Sequence, residues 1–204
     1  MKNKLLKLLS DNKNAIIGEE KYIVAAVLIA MVVIEGEEYI VLEKRASQIR
    51  QGGEISFPGG KYDVADLTTE TTACRETYEE LGIDRDKIEI LGKFGSLITP
   101  RGMLLDIYIG QLNIKNVKEM RFNTIEVEKL LFVPIKFFKE NEPRIEKIEM
   151  KNIPMFSPSE LKLPKRYRNS WTGYFRDVYF YNYQEEVIWG ITAEIIYEFI
   201  QKYS

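Results

Sequence analysis

Gly59-Gly60-Lys61-Tyr62-Asp63-Val64-Ala65-Asp66 and, eight residues further on, Arg75-Glu76-Thr77-Tyr78-Glu79-Glu80-Leu81-Gly82-Ile83 decide how this 204-residue chain folds. The second run reads as the end of a helix over about Asp66 to Leu81, with Asp66 or Thr68 available to cap its start and Gly82 its end. On that helix Glu76, Glu79 and Glu80 stand at i, i+3 and i+4, so their carboxylates share one face. Like charges at that spacing destabilise an isolated helix by roughly 0.2–0.5 kcal/mol per pair. A divalent cation turns the same repulsion into a multidentate oxygen site. Taken alone, such a run also serves as a solvated helix face. The double glycine upstream, whose backbone can approach a metal or phosphate closely, favours the site. Ala73, Thr77 and Leu81 fall on a different stripe, predicted to pack on a sheet.

Composition narrows the chemistry further. Lys plus Arg is 29 and Asp plus Glu 31, a net charge of −2, which argues against a coat for nucleic acid or an anionic membrane. Apolar residues make up 45% and charged ones 29%, ordinary for one globular domain that buries roughly 70% of its unfolded surface. The chain holds no histidine and one cysteine, Cys74. Ser-His-Asp, Cys-His and H-E-x-x-H chemistry are therefore excluded within it. Any metal must be held by oxygens, which suits Mg²⁺ or Mn²⁺ better than Zn²⁺ or Cu²⁺. Cys74 reads as an inert helix filler, and the lack of cysteine pairs fits a reducing cytoplasm.

Outward from the two runs, Tyr22–Ile34 and Glu38–Lys44 read as strands joined by a hairpin at Glu35-Gly36-Glu37. Arg50 to Lys61 is loop-like. Lys87–Thr99 and Met103–Asn113 read as strands around a Pro100-Arg101-Gly102 turn. Ile125 to Phe138 reads as a short helix broken at Pro134. Four of the seven prolines lie between Pro143 and Pro164, an irregular stretch holding the basic run Lys162, Lys165, Arg166 and Arg168. Trp171–Tyr183 reads as a strand, and Ile191, Ile195 and Phe199 line one face of a C-terminal helix. Residues 1–12, with Leu5, Leu6, Leu8 and Leu9 among lysines, form a short amphipathic helix expected to pack on the domain. The longest apolar run is too short to span a bilayer. The order of elements predicts one α/β domain over 1–204, with 1–20 as a helical extension.

The two runs together resemble the Nudix box, G-x5-E-x7-R-E-U-x-E-E-x-G-U with U a bulky apolar residue. The match is not complete. The pattern puts its first glycine at position 61, but the glycines are at 59 and 60; Leu67 stands in the first Glu position and Thr77 in the U position. The upstream residues Glu43-Lys44-Arg45-Ala46-Ser47, Ile49-Arg50 and Gly53-Glu54-Ile55-Ser56-Phe57-Pro58-Gly59-Gly60-Lys61, with Asp63 and Asp66, resemble the coenzyme A pyrophosphatase branch of that family. Gln51 stands about where that branch often has His. Asn123-Thr124-Ile125-Glu126-Val127, Phe132-Val133-Pro134 and Ile188-Trp189-Gly190-Ile191-Thr192-Ala193 fit the same branch, so the resemblance covers about residues 22 to 200.

The resemblance implies an α/β/α sandwich with a mixed sheet and a loop–helix–loop box. It implies that Glu76, Glu79 and Glu80 bind Mg²⁺ or Mn²⁺ with the Gly60 carbonyl as a further ligand, and that Arg75 braces the loop and the glutamates. Lys44, Arg45, Arg50 and Lys61 are candidates to meet substrate phosphates; for the first three, the positive end of an ordinary strand is the alternative. Asp63 and Asp66 read as turn formers or caps. The implied reaction is hydrolysis of a nucleoside diphosphate linked to another moiety, with coenzyme A or an acyl derivative giving 3′,5′-ADP and (acyl-)4′-phosphopantetheine. ADP-ribose or another nucleotide sugar is the alternative substrate, and a non-catalytic nucleotide-binding module the alternative role. Partners are then small nucleotides rather than nucleic acid or membrane, and a homodimer is compatible. The general base is open among Glu76, a metal-activated water and Glu126; the other reading of Glu126 is a cap on the helix expected from Ile125.

Overall fold

The computed structural model describes residues 2–11, 16–167, 171 and 173–203, with side chains of 8–11 excepted. A seven-stranded mixed sheet is built around β1 (Ile23–Ile34), a nearly continuous Val/Ile/Ala run buried on both faces. It turns through Glu35 and Gly36, both at positive φ, into antiparallel β2 (Glu37–Arg45). The main path runs β3 (Ile55–Ser56), β2, β1, β6 (Met103–Leu112), β5 (Ile88–Ile98), and β1 with β6 is the parallel pair. β4 (Gly59–Lys61) also pairs with β1, beside the segment that pairs with β2. The 50–61 stretch is thus not all loop: it contributes two short strands.

Helix α2 (Thr69–Leu81) covers one face of the sheet. Thr68 caps its start by accepting from Thr71 N–H, and Gly82, in the left-handed region, ends it. Of the two residues available to cap the helix, Thr68 does so, and Asp66 serves the turn before it. It closes a reciprocal capping box with Asp63 over a 3-10 turn that precedes the helix. Ala73, Thr77 and Leu81 are fully buried as predicted, packing with Ala26, Leu28 and Val41. The opposite face carries Ile29, Ile40, Leu42 and Val133 against α3 (Ile135–Glu140) and α4 (Gly190–Lys202). Ile195 and Phe199 of α4 are buried there, each such side chain contributing about 1.5–3 kcal/mol. The architecture is the predicted α/β/α sandwich.

Three expectations are corrected. The helix predicted over Ile125–Phe138 is confined to α3; Val127–Pro134 is strand β7, paired with β2 from Tyr39 to Arg45. Pairing with β2 and burial of Val127, Leu131 and Val133 in the core outweigh the local pattern, and Pro134 sits at the strand's end, where it tolerates a missing N–H. The proline-rich stretch begins with an ordered strand, β8 (Arg144–Met150), which joins β9 (Tyr174–Tyr183) and β10 (Glu186–Trp189) in a second sheet. Helix α1 (Lys2–Asp11) forms, but Leu5 and Leu6 are exposed rather than packed on the domain.

Candidate active site

The glycine loop is sewn onto β1. Leu28 N–H donates to the Pro58 carbonyl and Tyr62 N–H to that of Val24, flanking the β4 pairing. At Gly59, with φ 156°, an added Cβ would strike the Ala26 carbonyl and Val27. At Gly60 it would strike the Glu76 carboxylate. The paired glycines therefore let the loop lie flat between β1 and α2, against the helix face that bears the glutamates.

Arg75 organises that face. Its Nε donates to Asp66 Oδ1 at 2.8 Å and its Nη2 to Asp66 Oδ2 at 3.0 Å, a fork on a carboxylate that is 4% exposed. The same guanidinium reaches Glu76 at 2.8 Å and Glu79 at 3.0 Å. The hydrogen bonds from Arg75 hold the Asp66 carboxyl down at about 2. The i,i+4 contact with Glu79 is thus one part of a brace joining the loop to the helix.

Glu80 is 3% exposed and accepts from Gly59 N–H at 2.8 Å. Beside it lies Glu43 of β2, 1% exposed, whose Oε1 accepts from Ser56 Oγ at 3.2 Å and meets Arg45 Nη1 at 3.6 Å. Glu43 Oε2 is buried with no N–H or hydroxyl donor in reach, and the Glu43 and Glu80 carboxyls stand close enough to share a proton. Burial raises the proton affinity of both carboxyls, and their mutual proximity raises that of Glu80 further. Burial also raises Glu76, with Arg75 opposing it. As the side chains stand, no three carboxylates among the described residues close on one point. Arg75 draws Glu76 and Glu79, and Gly59 holds one oxygen of Glu80.

The remaining candidates divide. Arg45 shares the Glu43 side of β2, and its Nε donates to the Arg50 carbonyl at 3.4 Å. Arg50 and Lys61 are exposed. Lys44 is not brought to this face: strand alternation turns it away from Glu43, to Glu186 at 3.0 Å and Glu128 at 3.3 Å. Glu126 is exposed in the turn before β7, near enough to raise the proton affinity of Glu43 and Glu76. No helix begins there, so the capping role has nothing to cap. Cys74 is half-buried in α2, its thiol raised by burial. Lys162, Lys165 and Arg166 are exposed, and Arg168 lies outside the described residues.

Glu43 was missed as a part of the site, and Asp66, read as a turn former or cap, was missed as the anchor of Arg75. Glu43 was signalled by alternation, since Val41, Glu43 and Arg45 share a face. Asp66 stood among the resembling residues, but its fork with Arg75 is made only by the fold of the 63–66 turn.

A glycine loop sewn to a core strand and closed on a helix face of carboxylates is the loop–helix arrangement that the Nudix-box resemblance implies. The NUDIX domain model matches residues 24–176. The chain belongs to the Nudix family: it is a pyrophosphohydrolase acting on nucleoside diphosphate derivatives. It is 29% identical over 197 residues to an uncharacterised Nudix hydrolase, NudL, of Photorhabdus laumondii, covering 96% of this chain and 88% of that one. It is 28% identical over 179 residues to Nudix hydrolase 3 of Caenorhabditis elegans, covering 85% and 70%. A mouse peroxisomal coenzyme A diphosphatase is 29% identical over 114 residues, covering 55% and 48%. Among solved structures, a MutT/Nudix family protein from Enterococcus faecalis superposes with TM-score 0.50 at 15% identity, covering 96% of this chain and 66% of that one; it shows the fold alone. Among the described residues no helix is long and apolar enough to cross a membrane.

Proposed function

We propose that this site takes Mg²⁺ or Mn²⁺ and cleaves the diphosphate of coenzyme A or an acyl derivative. The observation that carries the metal is the pair of buried carboxyls, Glu43 beside Glu80, in a cluster offering only hard oxygen donors. Glu76, Glu79, Glu80 and the Gly60 carbonyl would hold the cation. Glu43, in contact with that set, is a further oxygen donor. Once bound, the cation offsets charge on the anhydride and makes attacking water more acidic.

The protein's own groups supply the rest. Arg75 is a positioning residue, holding Glu76 and Glu79 against the loop through its fork on Asp66. Arg45, Arg50 and Lys61 offer cations to substrate phosphates. Lys44 is engaged by Glu186 and Glu128 on the other face and is left out of that set. Glu126, exposed and within electrostatic reach of Glu76, receives the proton of the attacking water. The coenzyme A assignment rests on the Lys44-to-Asp66 signature, and the likeness to the mouse diphosphatase supports it.

The test is mass-detected hydrolysis of coenzyme A, ADP-ribose, diadenosine polyphosphates and NADH with each metal. Coenzyme A is expected to show the highest kcat/KM. A tenfold preference for another substrate, about 1.4 kcal/mol of transition-state binding, overturns the coenzyme A reading.

A further inference from the structure

Strand β8 is the outer strand of the β10-β9-β8 sheet, and among the described residues no strand pairs with its free edge. Every residue from Arg144 to Glu149 is exposed. Such an edge presents a row of unsatisfied backbone donors and acceptors, a template for another strand. Its sequence, Arg144-Ile145-Glu146-Lys147-Ile148-Glu149-Met150, alternates sign and places Ile145 and Ile148, each 46% exposed, along the edge. Charges on an edge strand commonly block pairing, so the question is whether these repel or complement a copy of themselves.

Two identical strands that pair antiparallel about a two-fold axis through the sheet have a residue opposite its own copy at the centre. Centring on Glu146, Lys147 or Glu149 places like charges face to face, at a cost. Centring on Ile148 sets Ile148 against Ile148 of the second copy, Lys147 against its Glu149 and Glu149 against its Lys147. Five of the seven residues of β8, Glu146 to Met150, then lie within the paired segment. Centring on Ile145 also matches charges, but β8 begins at Arg144, so only three residues pair. There Arg144 and Glu146 already bind each other at 2.6 Å. Across the strand, Lys147 lies a loose 4.0 Å from Asp177, while Glu149 holds Lys151 at 2.9 Å, so it would sit between two lysines.

We propose that β8 is a self-association surface: two copies of this chain join edge to edge in the Ile148-centred register, making one continuous six-stranded sheet. The catalytic cluster lies in the other sheet, so the association is separable from hydrolysis.

The register is tested by charge exchange on the full chain, followed by sedimentation equilibrium and light scattering over a concentration series. Wild type is expected to dimerise. Lys147→Glu creates two Glu–Glu pairs across the axis and Glu149→Lys two Lys–Lys pairs, so each is expected to raise the dimer Kd about tenfold or more. The double variant restores both opposite-charge pairs with their order reversed and is expected to recover wild-type dimerisation. Both positions are exposed, and unchanged melting of the monomer confirms that the single variants fold. A wild type monomeric at its highest soluble concentration overturns the proposal. So does a dimer indifferent to both single changes, or one that the double variant fails to restore.

Discussion

Changing Asp66 to Asn isolates the brace on which the site depends. Asp66 is buried, accepts two bonds from Arg75, one from Thr72 Oγ1 at 2.9 Å and one from its own turn at Asp63 N–H. These bonds, those from Arg75 foremost, lower its carboxyl from an ordinary 3.8 to about 2 against the opposing effect of burial, equivalent to roughly 2.4 kcal/mol as an upper bound. Arg75 is 21% exposed, and screening brings the charge contribution to about 1–2 kcal/mol. The Asn amide also turns a donor toward donors, and the lost bond costs about 1 kcal/mol more. The expected total of ~2–3 kcal/mol lowers the melting temperature by about 5–10 °C for a domain of this size. The pH dependence has a definite sign. A depressed carboxyl stabilises fully above its unfolded value and loses that stabilisation as pH falls toward its folded value, here from about 4 to about 2. Thermal unfolding followed by circular dichroism should therefore show a wide gap between wild type and Asp66→Asn at neutral pH, narrowing in acid. A gap below about 1 °C at neutral pH, or one that does not narrow, refutes the brace.

Hydrolysis is expected to stop in excess chelator and return with Mg²⁺ or Mn²⁺, and a Glu79→Gln, Glu80→Gln double variant should lose several orders of magnitude in turnover; undiminished activity in either case removes the metal assignment. Glu126→Gln should lower kcat at least about tenfold with KM little changed, the pattern of a transition-state role. Wild-type kcat in that variant returns the base role to Glu76 or to water. Gly60→Ala, whose methyl meets the Glu76 carboxylate, should reduce kcat by about tenfold or more while melting within a few degrees of wild type. Steady-state kinetics with a parallel melt separates displaced chemistry from a broken fold.

Residues whose environment is local were legible in the sequence. The shared face of Glu76, Glu79 and Glu80, the buried stripe of Ala73, Thr77 and Leu81, and the caps at Thr68 and Gly82 all follow from helical spacing and end chemistry. What failed depends on distant partners. Val127 to Pro134 carries Glu128 and Lys129, which suit a helix, and becomes a strand only because β2 lies alongside. The period of two was sufficient to separate Lys44 from Arg45, but a charge-rich strand end gives no hint of which side faces the box. Glu43 was visible as a residue and invisible as a buried carboxyl, since burial there is made by Glu80 and Ser56 arriving from elsewhere.

The splitting of one edge of β1 between β2 and β4 has a kinetic consequence. Amide hydrogens held by that pairing, with Leu28 N–H on Pro58 and Tyr62 N–H on Val24, exchange with solvent only when the β1–β4 pairing opens. The box loop therefore opens less often than a surface loop that lacks such pairing. Substrate meets a loop backbone already held by the core, so binding there orders side chains such as the exposed Lys61 and little backbone.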